Sequence, residues 1–278
     1  ESLEQAEQLL ASAAKTTLSV FDPGIRLSDR KRALTFLDAQ ATAFPTGIPE
    51  LDKRGFGPTR KELWLLIANT KKGKSWGLMH LAKMALMQRA KVLHISLEMS
   101  AARCAQRYFQ MLFAMSKRKE VFHITKFRRD ELGRIAGFDE KQIMPKLSLD
   151  DPSIRRKLES KIDKWSLRLL DNIIIKEFPT GQLTIGMLTA YMDNLEATEG
   201  FVPDLLVVDY PDLFKLDISN MRLSVGQVYK DLRGILVARN MAGAVVSQSH
   251  RAAAKAKQVG AENVAEDYSK IANADTIL

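Results

Sequence analysis

Ala68-Asn69-Thr70-Lys71-Lys72-Gly73-Lys74-Ser75 is the stretch whose reading decides the fold. The apolar run Leu63-Trp64-Leu65-Leu66-Ile67 precedes it and reads as a buried strand. Behind it, Leu78, Leu81, Ala82, Ala85 and Leu86 recur at helical spacing. A strand that enters a loop and leaves as a helix aims backbone N–H groups and the positive helix end at one point, which suits a polyphosphate. On this reading Lys74 reaches the β- and γ-phosphates of a nucleotide, and the Ser75 hydroxyl ligates Mg²⁺. The commoner form of the motif begins with Gly where this chain has Ala68, so the match is to a looser pattern. The competing reading is a basic surface turn ahead of an amphipathic helix.

At 278 residues the chain can bury a full core, sized for one large domain or one domain with an appendage. Hydrophobic residues make up 46% and charge is spread along the chain, as in soluble globular proteins. No apolar run has the length to cross a bilayer, and no secretory signal opens the chain. The single cysteine, Cys104, excludes an intrachain disulfide and fits a cytoplasmic setting. The net charge of +9 permits a polyanionic partner without requiring one. The chain opens at Glu1 without Met and stops in an expected strand at 275–278, which reads as a fragment.

Residues 2–14 have helical periodicity, with Ser2 as a cap. After a turn at Asp22-Pro23-Gly24, a second helix is expected from Ser28. These 45 residues read as a helical linker or docking segment, and the core is expected over 46–278. Its second strand is Val92–Ser96, followed by Leu97-Glu98-Met99-Ser100, with Ser100 capping a helix to about Met115. A carboxylate such as Glu98 at the end of a core strand beside a phosphate loop can orient an attacking water; a surface glutamate in a turn is the alternative. Residues 116–130 interleave Lys117, Arg118, Lys119, Lys126, Arg128 and Arg129 with Phe122 and Phe127, which can grip nucleic acid or form a helical stretch with a solvated face.

A short strand at 172–176 and a helix over 185–197 come next. Leu205-Leu206-Val207-Val208-Asp209 is an apolar strand ending in an acid, the pattern of a Walker B element whose carboxylate holds the Mg²⁺ shell. The stretch 217–222 reads as a loop, and a long helix is expected over 223–240. Strand Ala244–Val246 delivers Gln248, which is placed to sense a γ-phosphate. Residues 252–267 read as an Ala- and Lys-rich loop. His and Cys never cluster at zinc spacing, and no Ser/His/Asp arrangement is evident.

Five stretches together resemble the C-terminal motor domain of the DnaB family of replicative helicases, a RecA-like fold. They are Thr46-Gly47 with Leu51-Asp52, the Ala68–Ser75 loop, Ser96-Leu97-Glu98-Met99-Ser100, Val208-Asp209-Tyr210, and Ser247-Gln248 with Arg251. Ala274-Asp275 matches more weakly. The resemblance implies an α/β, P-loop NTPase core with a mainly parallel sheet flanked by helices. It makes Glu98 the catalytic base, with Lys74 catalytic and phosphate-binding. Asn69, Thr70, Lys71, Lys72, Gly73, Ser75 and Trp76 would also bind the nucleotide, with Gln248 and Arg107 nearby. Ser75 and Asp209 would hold Mg²⁺.

The same resemblance implies ATP hydrolysis driving translocation on single-stranded DNA by a homo-oligomeric, hexameric ring, with a primase or helicase loader as partner and no membrane. The DNA loops would fall near 217–222 and 251–266, with Arg251, Lys255 and Lys257 on phosphates. A RecA-like ATPase that binds DNA without unwinding it would carry the same core motifs. Two departures stand out. Pro211-Asp212-Leu213 replaces the family's usual Leu-Gln-Leu, and the arginine finger would lie beyond Leu278.

Overall fold

The computed structural model describes residues 26, 28–30, 43–69, 72–166, 169–248 and 269–278. The chain divides into two compact units, residues 1–41 and 42–278. The expected helices at 2–14 and beyond Arg30, and the loop at 252–267, lie outside the described residues.

The second unit is a six-stranded parallel sheet with spatial order β5-β2-β6-β7-β1-β8. Its strands are β1 (Leu63–Ala68), β2 (Val92–Ser96), β5 (Ile173–Glu177), β6 (Leu205–Asp209), β7 (Ala242–Gln248) and β8 (Thr276–Ile277). Helices cover both faces: α1 (Lys74–Met87), α2 (Ala101–Phe113), α4 (Ile185–Glu199) and α5 (Met221–Ala238). The continuous apolar strands follow from that double cover, because alternate residues feed opposite cores. Leu63, Leu65, Leu206, Val208 and Val245 pack with α4 and α5 residues such as Leu188 and Leu232. Trp64, Leu205, Val207, Ala244 and Val246 pack with Leu78, Leu81, Ala82 and Tyr108 of α1 and α2.

Polar residues pin the margins. Asp52 accepts bonds from Thr46 N (2.7 Å), Thr46 Oγ1 (2.7 Å) and Gly47 N (3.0 Å), and His80 of α1 meets Thr46 O at 2.9 Å. The Thr-Gly…Leu-Asp stretch is thus a turn clamped on α1. Asp275 accepts from Leu63 N at 2.9 Å and takes a forked pair from Arg233 (2.7 and 3.1 Å), which ties β8 to β1 and α5. Among the described residues no helix is long and apolar enough to cross a membrane.

Two expectations are corrected. Residues 122–143 form neither a helix nor part of the core: β3 (Phe122–Arg129) and β4 (Ile135–Ile143) make a separate antiparallel ribbon whose residues are almost all exposed. Arg128 pairs with Asp139 across it at 3.3 Å. The stretch 217–222 is ordered rather than loop-like, with a 3₁₀ turn at Ile218–Asn220 running into α5. The helix α3 (Ile154–Trp165) lies between the ribbon and β5 in the chain.

His94 of β2 is fully buried, its Nδ1 2.7 Å from the Tyr108 hydroxyl. Burial holds its pKa down to about 3. The folded chain keeps it neutral where the unfolded chain protonates it, near pH 6.5. Stability should therefore fall as pH drops from about 6.5 toward 3, by up to about 1.4 kcal/mol per unit for this group. His94→Gln should reduce proton uptake on unfolding at pH 4.5 by close to one proton, measured from the pH dependence of denaturant melts. An unchanged slope would show that His94 is not the group responsible.

Candidate functional site

The parallel register sets the C-terminal ends of four strands side by side, with Ala68 opposite Gln248 and Ser96 opposite Asp209. Ligands of open parallel sheets bind at this edge. The loop leaving β1 closes on itself through Lys72 N to Asn69 O at 3.2 Å, then turns at Gly73. Gly73 has φ +88°, a left-handed conformation that strains any side chain. It is also the N-cap of α1 and has no side chain with which to cap the helix. The first-turn N–H groups of α1 are thus available to an anion at this end.

A cleft of about 430 Å³ opens over this turn, lined by Gly73, Lys74, Ser75, Trp76, Glu98, Met99, Arg103, Arg107 and Gln248. Glu98 is exposed in a turn that its neighbours lock. Ser96 Oγ donates to Met99 O (2.7 Å) and accepts from Met99 N (3.2 Å), Leu97 N donates to Asp209 O (2.9 Å), and Thr180 Oγ1 donates to Leu97 O (2.7 Å). Ser100 then caps α2, accepting from Arg103 N at 3.3 Å, and Glu177 accepts from Ala101 N at 2.8 Å. Capped this way, α2 presents Arg103 and Arg107 one turn apart to the cleft. The Arg107 guanidinium lies 5.2 Å from the Trp76 ring centroid.

The electrostatics are those of a site built to receive opposite charges. Lys74 Nζ and both carboxylate oxygens of Asp209 are buried without a hydrogen-bond partner among the described residues. The Lys74 ammonium lies 5.5 Å from the Tyr210 ring centroid. Burial lowers the Lys74 pKa, opposed by Glu98, Asp209 and Asp212. Burial raises that of Asp209, opposed by the nearby Ser75 hydroxyl, by Lys74 and by Arg107. A buried carboxylate without donors beside a serine hydroxyl fits a hard divalent cation, and a buried ammonium at a bare helix N-terminus fits phosphate oxygens. The residues present therefore suit a Mg²⁺–nucleotide.

The fold brings Gly73, Lys74, Ser75, Trp76, Glu98, Arg107 and Gln248 to one cleft, with Asp209 beneath it and Asn69 and Lys72 in the same loop. Thr70, Lys71, Arg251, Lys255 and Lys257 lie outside the described residues. Arg103 was not singled out from sequence, and Tyr210 was quoted only within the Val208-Asp209-Tyr210 stretch, with no role of its own. The four-residue spacing of Arg103 and Arg107 on a helix capped by Ser100 was the available signal for the first.

No family model matches the chain. Over 221 residues, 77% of its length, the chain is 25% identical to the DnaB-like replicative helicase of Enterobacteria phage T4, and it spans 40% of that protein. Its fold is similar to that of a DnaB-like replicative helicase whose structure was described with its interactions with primase. The TM-score is 0.68 at 18% identity, over 99% of this chain and 63% of the other. It is also similar to a second solved structure, an isolated ATPase domain, with a TM-score of 0.66 at 18% identity, over 92% and 83% of the two chains. At those identities the structural likeness speaks for the fold, a RecA-like α/β core. Sequence and structure converge on the ATPase domain of DnaB-like replicative helicases as what this chain resembles.

A ligand that fills the site should stabilise the fold by mass action, by about 2.7 kcal/mol at 100 times its Kd. Melting curves with a non-hydrolysable ATP analogue should shift upward with Mg²⁺ and less with EDTA, and Asp209→Asn should lose most of that difference. Equal shifts with and without Mg²⁺ in the wild-type protein would remove Asp209 from a metal-binding role.

Proposed function

We propose that the chain carries the motor domain, residues 46–278, of a DnaB-type replicative helicase, with residues 1–45 as a helical linker or docking segment. It would hydrolyse ATP to translocate on single-stranded DNA as a hexameric ring in the cytoplasm. What supports this most directly is the coincidence of Lys74 and Asp209, whose charged atoms have no partner among the described residues, with Ser75, Glu98 and Gln248 at one sheet edge. Bound Mg²⁺ would neutralise charge on the β- and γ-phosphates. The chain's own residues do the rest: Lys74 meets the terminal phosphates, the bare N-terminus of α1 cradles them, and Glu98 takes a proton from the attacking water. Arg103 and Arg107 add positive charge to the far wall. A primase or loader is the partner class proposed by analogy with the relatives above.

The rival reading is a RecA-like ATPase that binds DNA without unwinding it; strand displacement on a forked substrate by the full-length protein separates the two. Glu98→Gln should keep Mg²⁺–ATP binding and lower turnover by about 10²–10⁴-fold, read from single-turnover hydrolysis and equilibrium binding. Turnover close to wild type would return Glu98 to an ordinary surface turn.

DNA contact is tested by salt titration of two triple-neutral variants. Neutralising Arg251, Lys255 and Lys257 should flatten the log–log slope by about 0.7 per lost phosphate contact. Neutralising Lys126, Arg128 and Arg129 on the exposed ribbon should leave the slope unchanged. The reverse result would move the DNA path to the ribbon.

A further inference from the structure

Behind the cleft, at the same sheet edge, lies a second pair of opposite charges that the proposed chemistry does not use. Asp212 stands in the 3₁₀ turn Pro211–Leu213 that follows β6, and Lys270 in the short helical turn Ser269–Ala272. Lys270 is only 2% exposed, yet its ammonium is well supplied: Nζ donates to Asp212 Oδ2 at 2.5 Å and lies 3.5 Å from Ser247 Oγ. The other oxygen of Asp212 accepts from the fully buried Tyr229 hydroxyl of α5 at 3.0 Å. One cluster therefore joins the turn after β6, the end of β7, α5 and the chain just before β8.

Each end of this cluster is one or two residues from a group that lines the cleft or lies against its lysine. Two positions before Asp212 is Tyr210, whose ring lies under Lys74 and whose hydroxyl accepts from Gln248 Nε2 at 3.3 Å. One position after Ser247 is Gln248 itself. The backbones of β6 and β7 are held on their outer sides, by the rungs Ser96↔Asp209 and Ala68↔Gln248, but the ladder between the two strands stops at Val208↔Val245. Past that rung, side chains close the gap between Tyr210 and Gln248. An apolar pair of similar volume would stabilise the fold about as well, since burying two ions costs much of what their attraction returns. What the ion pair adds is direction: a fork from Asp212 to Lys270 and Tyr229 admits one placement of the turn.

We propose that Asp212 and Lys270 are positioning residues for the terminal-phosphate end of the cleft, holding Tyr210 and Gln248 at the spacing from Lys74 at which Gln248 distinguishes a triphosphate from a diphosphate. The inference rests on the nucleotide reading above. It makes the pair act through Gln248 and Tyr210, with no contact of its own to the ligand.

The test uses Lys270→Met, Asp212→Asn and the apolar double variant Asp212→Leu/Lys270→Met in the full-length protein, each checked for folding by thermal melts. Equilibrium binding of Mg²⁺–ADP and of a non-hydrolysable Mg²⁺–ATP analogue is measured alongside kcat and KM. Mg²⁺–ADP should bind within about twofold of wild type. Preference for the triphosphate analogue should drop by about tenfold, the worth of one well-placed hydrogen bond, and kcat should fall with little change in KM. The double variant keeps the fold without the fork, so a folded double variant with wild-type preference and kcat overturns the proposal. So does a parallel loss of both affinities, which would mark a general structural role. Should the wild-type protein bind neither nucleotide, the nucleotide reading itself falls, a result distinct from a nucleotide-binding wild type with indifferent variants.

Discussion

The structure depends on the register of its parallel ladders. Parallel strands joined by helical crossovers all end at the same sheet edge, and here the rungs Ala68↔Gln248 and Ser96↔Asp209 fix which residues emerge together. A one-residue slip of β6 would send Asp209 to the other face and place Val208 beneath the loop. Burial prevents it: Val207 and Val208 are both fully enclosed, each facing a differently shaped core. The chemistry at the edge is thus held in place by apolar packing several residues away.

The same logic explains how the edge tolerates its polar groups. Asp209 is 1% exposed with no donor among the described residues, a placement that costs on the order of 1–3 kcal/mol or more for a charged group. The surrounding core absorbs this without moving, because Leu205 to Val208 are sealed by helices on both sides. Glu98 sits differently. It is exposed, but its backbone is tied to β6 through Leu97 N, to the turn after β5 through Leu97 O, and to itself through Ser96. A flexible side chain on a rigid turn can swing toward a bound water while its anchor stays still.

Much of this was legible in the sequence, and the reason is burial. The strands at 63–68, 92–96 and 205–209 are apolar runs because both faces are covered, and their ends stand out as the first polar residues after each run. The helix expected over 185–197 was equally plain; in the structure Thr184 caps it and it runs on to Glu199, ending at Gly200. The ribbon of β3 and β4 was not, because neither face of it meets the core. Phe122 to Thr125 alternates apolar and polar residues, but Lys126-Phe127 breaks the pattern after four residues, and the basic residues read equally well as a solvated helix. Residues 217–222 misled for a related reason: Asp217 makes a local cap on Ser219 that starts the turn early, a short-range bond that composition hides.

The substitution of Pro211-Asp212-Leu213 for an uncharged sequence acquires its meaning only beside Lys270, 58 residues further on. Two lysine–aspartate combinations therefore stand within electrostatic reach of one another, and the fold treats them oppositely. The Lys74 ammonium and the Asp209 carboxylate are buried and unmatched among the described residues; Lys270 is buried and bonded to the half-buried Asp212. If every charge at this edge were paired within the chain, a polyphosphate and its cation would have to break those pairs to bind. If none were, the turn after β6 would carry an uncompensated charge and no fixed direction. Pairing the second couple leaves the first one free in a frame that does not shift. Burial pushes the Asp209 pKa up and the Lys74 pKa down, the electrostatic signature expected of the ligand site proposed above.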